Sequence, residues 1–454
     1  MKHLFFLLYF ISMPLFASSF PDDFDFKPLS KESVAFSAWS IDSDKEVFSL
    51  NSEKEFFVAS NVKLITTAAA MEILGNGLRF KTNFLFEPES GTLYIKGGAD
   101  PSIVVEKLWI IACELKSRNM RTIKKVVYDD FLFGEKGIYS AAGTEGGDNG
   151  YLSFISPLNL NYNAVEVSVA PSKTGSPAFV NTLIPGNYFI IKNKTITVAG
   201  NALDIDILSR KNGARTELTV VGKIGANIDK PKKIYRRVQT PAEHFIMPLL
   251  SFLGENESIP FVRKKIPDTF FSEKNGVLYT YKSEPLREII NTMNKYSCNF
   301  IADVLQFYIG FQEKNSPEQG VALLKKYATE KTGLVPDIIN GSGLGNGYNK
   351  LPPILLIRLM RYFYKNDMMR LDYFSSLPVM GEEGTLKRNN GKLNGKIRAK
   401  TGSITAVTSL SGIMKGKSGK IYLFVFVLNN FKEPGYKNMW EYRDRLLDFV
   451  WEKL

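Results

Sequence analysis

Residues 57–74 read FVASNVKLITTAAAMEIL and contain the tetrad SNVK at positions 60–63. Apolar residues recur through this segment at helical spacing, and Gly75 follows as a stop signal. The sequence therefore predicts a helix whose first turn holds the tetrad. A spacing of three residues places Ser60 and Lys63 on one face of that helix, about one turn apart.

The pair Ser60 and Lys63 has the composition of a self-contained nucleophile and base. A serine hydroxyl is a weak nucleophile until a base removes its proton. A lysine is such a base when burial lowers its pKa, by roughly 3–5 units at the extreme. The positive end of the helix adds favourable charge near Ser60. Taken alone, the pattern equally fits a helix cap followed by a surface lysine. It is, however, the only S-x-x-K in the chain, and an apolar run follows its lysine.

The N-terminal 19 residues, MKHLFFLLYFISMPLFASS, have the pattern of a secretory signal peptide: one lysine, an apolar run and small residues. Cleavage is predicted after Ala17 or Ser19. The apolar run is too short to span a bilayer comfortably, and no cysteine lies near it to carry a lipid. We therefore expect an exported protein with at most peripheral membrane association.

Length and charge limit the function classes. A chain of 454 residues with 44% apolar residues suggests two or three globular domains. After removal of residues 1–19 the formal net charge is +11, from 57 basic and 46 acidic residues. This charge favours an anionic partner such as a wall polymer or a membrane surface, although a diffuse charge also simply solubilises. Export argues against nucleic acid.

Cysteine and histidine are too scarce for several kinds of site. Cys113 and Cys298 are the only cysteines, and we predict two free thiols rather than a disulfide scaffold. After export only His244 remains as a histidine. No metal site of the His/Cys type and no cofactor are expected, and a Ser-His-Asp triad could use only His244.

The order of predicted elements changes along the chain. A β-hairpin over 34–50 and the Ser60 helix are followed by strands and one helix, then by short strands with Gly, Pro and Asn turns, and finally by helices, strands and a closing amphipathic helix. The simplest account is an α/β (α+β) protein whose main domain is formed from both chain ends. The predicted boundaries are 20–77 and 281–454 for the main domain, 78–90 and 158–280 for an inserted β-rich domain, and 91–157 for a small inserted α/β domain.

Two further motifs accompany the tetrad. KYSCNFIADVL gives Ser297-x-Asn299 at the start of a predicted helix, and IRAKTGSIT gives Lys400-Thr401-Gly402-Ser403 on a predicted strand. Each motif is weak alone, because S-x-N also occurs at 49–51 and 117–119, and KTG at 173–175 and 331–333. Only Lys400 enters a long β-run that could form the wall of a cleft, and only Ser297 follows the inserted region at the head of an apolar-faced helix.

In the order S-x-x-K, S-x-N and K-T-G, the three motifs are the signature of penicillin-recognising serine acyl enzymes. The chain resembles the class C low-molecular-mass penicillin-binding proteins, the D-alanyl-D-alanine carboxypeptidase/endopeptidase family. That family has two extra domains between the first two motifs, and in this chain Lys63 and Ser297 are separated by a gap of the same kind. Matching runs such as LYIKGGADPS, SPLNLNYNAVEVSVAP and LPVMGEEGTLKR extend the resemblance over most of the mature chain.

The resemblance implies a role for each motif residue. Ser60 attacks the peptide carbonyl, Lys63 takes its proton, and Ser297 relays the proton toward the leaving amine. Asn299 offers its amide to the substrate or to Lys63. The remaining implied roles lie on the strand of the third motif: Lys400 and Thr401 bind the substrate's C-terminal carboxylate, Gly402 keeps the strand open to an added peptide strand, and the N–H groups of Ser60 and Ser403 form the oxyanion hole.

The family further implies peptidoglycan peptides as substrates, β-lactam antibiotics as covalent inhibitors, a periplasmic or wall-facing location and no metal. Two departures from its usual pattern put turn stability and turnover in doubt. The chain has NGSGLG, with Asn340 and Gly345, where the family usually has DGSGLS. It also has Asp303 where the family usually has glutamate.

Three other functions fit parts of the sequence. A β-lactamase shares the three motifs, but it is a single compact domain without a large insertion. A non-hydrolytic wall-binding protein would have no use for the Ser60 and Lys63 pair. A triad hydrolase would depend on His244, which lies in a predicted helix segment, HFIMPLL, and is more simply structural.

Overall fold

The computed structural model describes residues 19–141, 146–344, 349–388, 390–430 and 436–454. The predicted cleavage position Ala17 and the departure at Gly345 lie outside the described residues. Within the described ranges no helix has both the length and the apolar character needed to cross a membrane.

The helices of the described residues cluster in the first and last parts of the chain, with two in the insertion. They are α1 Lys63–Ala69, α2 Val105–Ser117, α3 Pro241–Leu253, α4 Leu286–Lys295, α5 Asn299–Lys314, α6 Gly320–Thr332, α7 Pro353–Tyr364, α8 Asp367–Ser375 and α9 Tyr436–Lys453. A 3₁₀ turn, Ala59–Val62, leads into α1, and a π-helical turn, Ala70–Leu74, continues it.

The strands of the described residues form five sheets. They are β1 Val34–Ser40, β2 Lys45–Leu50, β3 Phe56–Phe57, β4 Lys81–Glu87, β5 Thr92–Lys96, β6 Lys125–Asp129, β7 Ala164–Ala170, β8 Phe179–Thr182, β9 Phe189–Val198, β10 Leu203–Asn212, β11 Arg215–Gly225, β12 Lys232–Arg237, β13 Phe261–Arg263, β14 Val277–Lys282, β15 Lys350–Leu351, β16 Ile397–Ile404, β17 Val407–Lys415 and β18 Ile421–Asn429.

The main sheet joins the two chain ends, as predicted. Its order is β16-β17-β18-β1-β2, and every pairing is antiparallel. Strand β18 is buried on both faces, because its alternate side chains enter different cores. Leu423, Val425 and Val427 pack with α1, α5 and α7, whereas Phe424 and Phe426 pack with the closing helix α9. The α+β class predicted from the sequence is confirmed by this arrangement of antiparallel sheet and flanking helices.

The insertion leaves and re-enters the main domain at adjacent points. The Phe80 N–H donates to Ser283 Oγ at 2.9 Å, and the Ser283 N–H donates back to the Phe80 carbonyl at 2.9 Å. The Leu286 N–H donates to the Leu78 carbonyl at 2.8 Å. This hydrogen-bonded neck allows roughly 200 residues to be inserted without separating α1 from α4.

The strand pairing divides the insertion differently from the boundary predicted at residue 91. That boundary assigns 78–90 to the β-rich unit, but β4 pairs antiparallel with β5 across a tight turn in which the Gly91 N–H bonds the Glu87 carbonyl. The five-stranded α/β sheet has the order β13-β6-β5-β4-β14, so it also takes β13 and β14 from the predicted 158–280 segment. Local periodicity predicts a strand but does not specify its partner, and the boundary therefore fell within a hairpin.

The β-rich part of the insertion is smaller than predicted and covers β7 to β12. It has two three-stranded sheets, β10-β11-β9 and β12-β7-β8. The alternation of β7 places Val165, Val167 and Val169 in one core with Leu218 and Val220 of β11. These strands bury one face each, which explains their strict polar and apolar alternation.

The insertion also packs against helix α5 of the main domain. Phe133 and Ile155 of the insertion share a buried cluster with Phe300 and Phe307 of α5. The ring of Phe307 lies 6.0 Å from that of Phe133 and 5.7 Å from that of Tyr139. One face of α5 is therefore covered by the inserted chain rather than by the main sheet.

We expect Phe307→Ala to lower the free energy of unfolding by about 3–5 kcal/mol, since it removes a buried aromatic ring and leaves a cavity. Urea titration followed by tryptophan fluorescence measures the change. Phe179→Ala is the matched control: its ring is 68% exposed, so its effect should stay within about 0.5 kcal/mol. Equal effects of the two substitutions would show that this cluster does not stabilise the fold.

Candidate active site

Ser60 lies in a tight turn directly before α1. The residue before it, Ala59, has a positive φ of 47°, which is unusual for a residue with a side chain. The 3₁₀ turn then presents Ser60, which is half-buried, and continues into the helix that begins at Lys63. Lys63 Nζ lies 3.0 Å from Ser60 Oγ. The predicted nucleophile and base are therefore within hydrogen-bond distance.

Lys63 is fully buried and makes three hydrogen bonds. Besides Ser60 Oγ, its Nζ donates to Asn299 Oδ1 at 2.7 Å and to the Ser342 carbonyl at 2.5 Å. Burial lowers the pKa of Lys63 to about 8, and the negative charge of Asp303 opposes that shift. A lysine that titrates near neutral pH can exist as the neutral amine that general-base chemistry requires.

Ser297 and Lys400 form the second pair of the site. Ser297 precedes α5 with a positive φ of 55°, and Lys400 Nζ donates to its Oγ at 2.8 Å. Lys400 Nζ also donates to the Thr401 carbonyl at 2.7 Å. Burial, followed by repulsion from the charge of Lys63, holds the pKa of Lys400 well below its usual value.

The Lys400 ammonium group is buried and does not line the cleft. A direct partner for a substrate carboxylate needs an exposed ammonium group, but Lys400 has no exposed surface and its Nζ is hydrogen-bonded to Ser297 and Thr401. The strand edge was predicted correctly, whereas the direction of the lysine depends on a tertiary partner, Ser297, that lies 103 residues away.

Two glycines let other segments approach the nucleophile closely. A Cβ on Gly402 would lie 2.2 Å from Ser409 Oγ, 2.7 Å from the Val58 carbonyl oxygen and 3.1 Å from the Ser60 nitrogen. Gly343 has a φ of +77°, and a Cβ there would lie 2.9 Å from the Ser60 nitrogen. The β16 edge and the NGSGLG turn therefore both contact the backbone that carries Ser60.

An open cleft of about 370 Å³ lies beside these motifs. Thr401 Oγ1 is within 2.8 Å of Thr385 Oγ1 at its wall. Its described lining residues are Ser60, Ser297, Met380, Thr385, Leu386, Arg388, Asn390, Thr401, Ser403, Trp440 and Arg443. Four of the eight predicted site residues therefore line one cleft. Lys63 and Lys400 lie behind the lining and hydrogen-bond Ser60 and Ser297, and Asn299 accepts a hydrogen bond from Lys63.

The sequence reasoning did not assign roles to several residues of this site. Ser342 contributes its carbonyl to Lys63, and Asn340 holds that turn by accepting from the Gly343 N–H at 2.8 Å. Asp303 is buried; burial raises its pKa, and the Ser342 side chain and the charge of Lys63 oppose that rise. The NGSGLG run was the available signal for Ser342. Nothing in the local pattern pointed to Arg388 or Arg443.

The competing motif matches and His244 lie in structural settings. Lys331 pairs with Glu72 at 2.7 Å and donates to Tyr362 Oη at 2.8 Å. His244 is fully buried in the insertion against Tyr188, and neither ring nitrogen has a hydrogen-bond partner among the described residues. Burial lowers its pKa to about 3. The triad hypothesis therefore lacks the hydrogen bonds that a triad histidine needs.

No group of three or more His, Cys, Asp or Glu side chains in the described ranges is arranged to hold a metal ion. The site instead combines a serine, a buried lysine, and a second serine and lysine pair beside an open cleft. This combination of residues is the one expected of serine acyl enzymes.

Comparison with known proteins identifies the family. The sequence profile of the D-Ala-D-Ala carboxypeptidase 3 (S13) family matches residues 24–449, and the chain belongs to that family. It is 27% identical over 419 residues to a D-alanyl-D-alanine carboxypeptidase of Actinomadura sp. (strain R39), covering 86% of this chain and 76% of that protein. The family resemblance predicted from the motifs is confirmed.

Solved structures show the same fold. Penicillin binding protein 4 (dacB) from Haemophilus influenzae superposes with a TM-score of 0.72 at 22% identity, covering 92% of this chain and 96% of that one. A predatory endopeptidase from Bdellovibrio bacteriovorus, acylated by penicillin G, superposes with a TM-score of 0.53 at 16% identity, covering 92% and 93% of the two chains.

We expect the rate of acylation by penicillin to rise with pH and to level off above about pH 8, because only the neutral form of Lys63 accepts a proton. Asp303→Asn should move this rise to lower pH, since the carboxylate charge of Asp303 raises the pKa of Lys63. Stopped-flow acylation between pH 5 and 10 measures both profiles. Asp367→Asn, at an 85% exposed side chain, should leave the profile unchanged. An unshifted profile in the Asp303 variant would refute the coupling.

We expect Gly402→Ala to slow acylation by about 10²-fold, because the added methyl group displaces the strand or the Ser60 backbone by a fraction of an ångström or more. Acylation kinetics with a fluorescent penicillin measure the effect. Gly77→Ala is the control: a Cβ there meets nothing within 4 Å, and the residue has no positive φ. Acylation at the parent rate in a folded Gly402 variant would contradict the close packing.

Proposed function

We propose that this protein is a serine D-alanyl-D-alanine carboxypeptidase/endopeptidase that forms an acyl-enzyme on Ser60 and acts on peptidoglycan stem peptides. The observation that carries the proposal is the hydrogen-bonded pair of Ser60 and fully buried Lys63, next to the Ser297 and Lys400 pair. A non-catalytic wall-binding protein would gain nothing from burying two lysines beside a serine, because each burial costs free energy.

Acylation follows from the hydrogen bonds around Ser60. Neutral Lys63 Nζ accepts the hydroxyl proton, and Ser60 Oγ forms a bond to the carbonyl carbon of the scissile peptide. Asn299 Oδ1 and the Ser342 carbonyl accept hydrogen bonds from the protonated amine and hold it in place. Collapse of the tetrahedral intermediate breaks the C–N bond, and the proton taken by Lys63 passes through the Ser297 hydroxyl group to the leaving amine, which leaves Lys63 neutral again. Lys63 then takes a proton from the water that attacks the ester and returns it to Ser60 Oγ as the acyl group leaves.

The edge strand β16 provides the docking surface for the substrate. It is the outer strand of the main sheet, so its free edge can accept an extended peptide as an added strand. Thr401 and Ser403 line the cleft along that edge, and their hydroxyl groups can donate to substrate oxygens. The N–H groups of Ser60 and Ser403 would form the oxyanion hole. The carboxypeptidase and endopeptidase reactions differ only in the amine that leaves.

The cellular setting follows from the sequence of the N-terminus. Residues 1–19 would direct export, with cleavage near Ala17 or Ser19 and a periplasmic mature enzyme. In that compartment β-lactam antibiotics would acylate Ser60 as substrate analogues. The structure of the Bdellovibrio relative acylated by penicillin G supports such a reaction in this fold. A formal charge of +11 on the mature chain suits an anionic wall.

We expect Ser60→Ala to abolish covalent labelling by fluorescent penicillin, and Lys63→Ala to slow acylation by about 10²–10⁴-fold, the usual contribution of a positioned base. Mass spectrometry of the labelled peptide locates the adduct. His244→Phe should keep parental acylation, since that ring lies in an apolar core. Labelling of another serine in the Ser60 variant would overturn the proposed nucleophile. Slow release of the adduct distinguishes a peptidase from a β-lactamase.

A further inference from the structure

The two lysines of the motifs leave the cleft without an exposed ammonium group. Lys63 and Lys400 are both fully buried, and neither lines the cleft. Among the described residues that line it, the cations are Arg388 and Arg443. The positive charge that a substrate anion meets in this cleft is therefore guanidinium charge.

Arg443 is a buried arginine, and only some of its guanidinium N–H groups donate hydrogen bonds to described residues. The residue is 8% exposed, and its Nε and Nη2 donate to Asp444 Oδ1 at 2.8 and 2.6 Å. Its guanidinium carbon lies 5.8 Å from the centre of the Trp440 ring. A guanidinium has five N–H groups, so this carboxylate contact fixes its plane and leaves other N–H groups for a second acceptor.

Arg388 supplies a second cation that no described acidic group neutralises. It is exposed, and no ion pair or hydrogen bond joins it to another described residue. It lies just beyond the 3₁₀ turn Gly384–Leu386, whose Thr385 contacts Thr401 of the third motif. This loop therefore places Arg388 on the same cleft as the catalytic edge strand.

We propose that Arg388 and Arg443 form an anion subsite that binds a carboxylate of the peptide substrate. The inference rests on the proposed peptidase function. A guanidinium matches the geometry of a carboxylate and donates two parallel hydrogen bonds, and partial burial of Arg443 strengthens such a contact. Asn390 and Trp440 add a polar donor and an apolar wall to the same cleft.

A peptidoglycan-type peptide offers two carboxylates that this subsite could bind. One is the free C-terminal carboxylate of the residue that leaves, and the other is a side-chain carboxylate on the acyl side of the scissile bond. The test therefore uses three peptides that end in D-Ala-D-Ala: the parent with both carboxylates, one with an amidated C-terminus, and one with an amidated side chain.

The variants are Arg388→Gln and Arg443→Lys, with Arg445→Gln as control. Arg445 lies on the same helix as Arg443, but it donates to the backbone carbonyls of Asp25 and Lys27. We expect each subsite variant to lower kcat/KM for the parent peptide by about tenfold, mainly through KM, as the loss of a charge-assisted hydrogen bond predicts. For the peptide that lacks the bound carboxylate, the same variants should lower kcat/KM very little. The amidated peptide that shows this small effect therefore identifies which carboxylate the subsite binds.

The outcomes separate this inference from the proposed function. If the parental protein forms no penicillin adduct on Ser60, the proposed function itself fails. If it forms the adduct, but both arginine variants keep the parental ratios of kcat/KM among the three peptides, the subsite alone is refuted. Arg388 is exposed, so its variant should fold even if replacing the buried Arg443 destabilises the protein. In that case the ratios of kcat/KM among the three peptides, measured for the Arg388 variant, decide whether the subsite exists. A loss equal in the Arg445 control would also overturn the assignment, since it would show a general charge effect.

Discussion

The site depends on the burial of one ammonium group, Lys63 Nζ, in a chamber built by three distant segments. Its acceptors Asn299 and Ser342 lie 236 and 279 residues further along the chain. A fully buried amine without these acceptors would cost several kcal/mol, so the fold must bring α1, α5 and the NGSGLG turn together before the lysine can be accommodated. The same burial lowers its pKa to about 8, so that a neutral amine able to accept a proton is present near neutral pH.

A second buried lysine makes the electrostatic balance of the site unusual. Burial, and after it the charge of Lys63, lowers the pKa of Lys400. Asp303 is the buried carboxyl whose charge acts on Lys63. Its pKa is itself raised by burial, so the protonation of Asp303 and that of Lys63 depend on each other.

The three motifs can be recognised in the sequence because each of them is local. The S-x-x-K spacing places two side chains on one helical face, and the KTG run has the periodicity of a strand. The partner of Lys400 and the partner of strand β4 could not be predicted in this way, because both depend on which distant segment becomes the neighbour. Lys400 meets Ser297, and β4 meets β5. Arg388 and Arg443 carried no spacing signal, since they enter the cleft from a loop and a helix far apart in sequence.

The insertion is tied to the chemistry through helix α5. The face of α5 opposite the main core packs on Phe133 and Ile155 of the inserted chain, and the first turns of the same helix carry Asn299 and Asp303. A helix that positions a hydrogen-bond acceptor to within a few tenths of an ångström must be held on more than one side. The inserted residues therefore act as part of the support for Lys63. The hydrogen-bonded neck at Phe80 and Ser283 is a second connection between the insertion and the main domain.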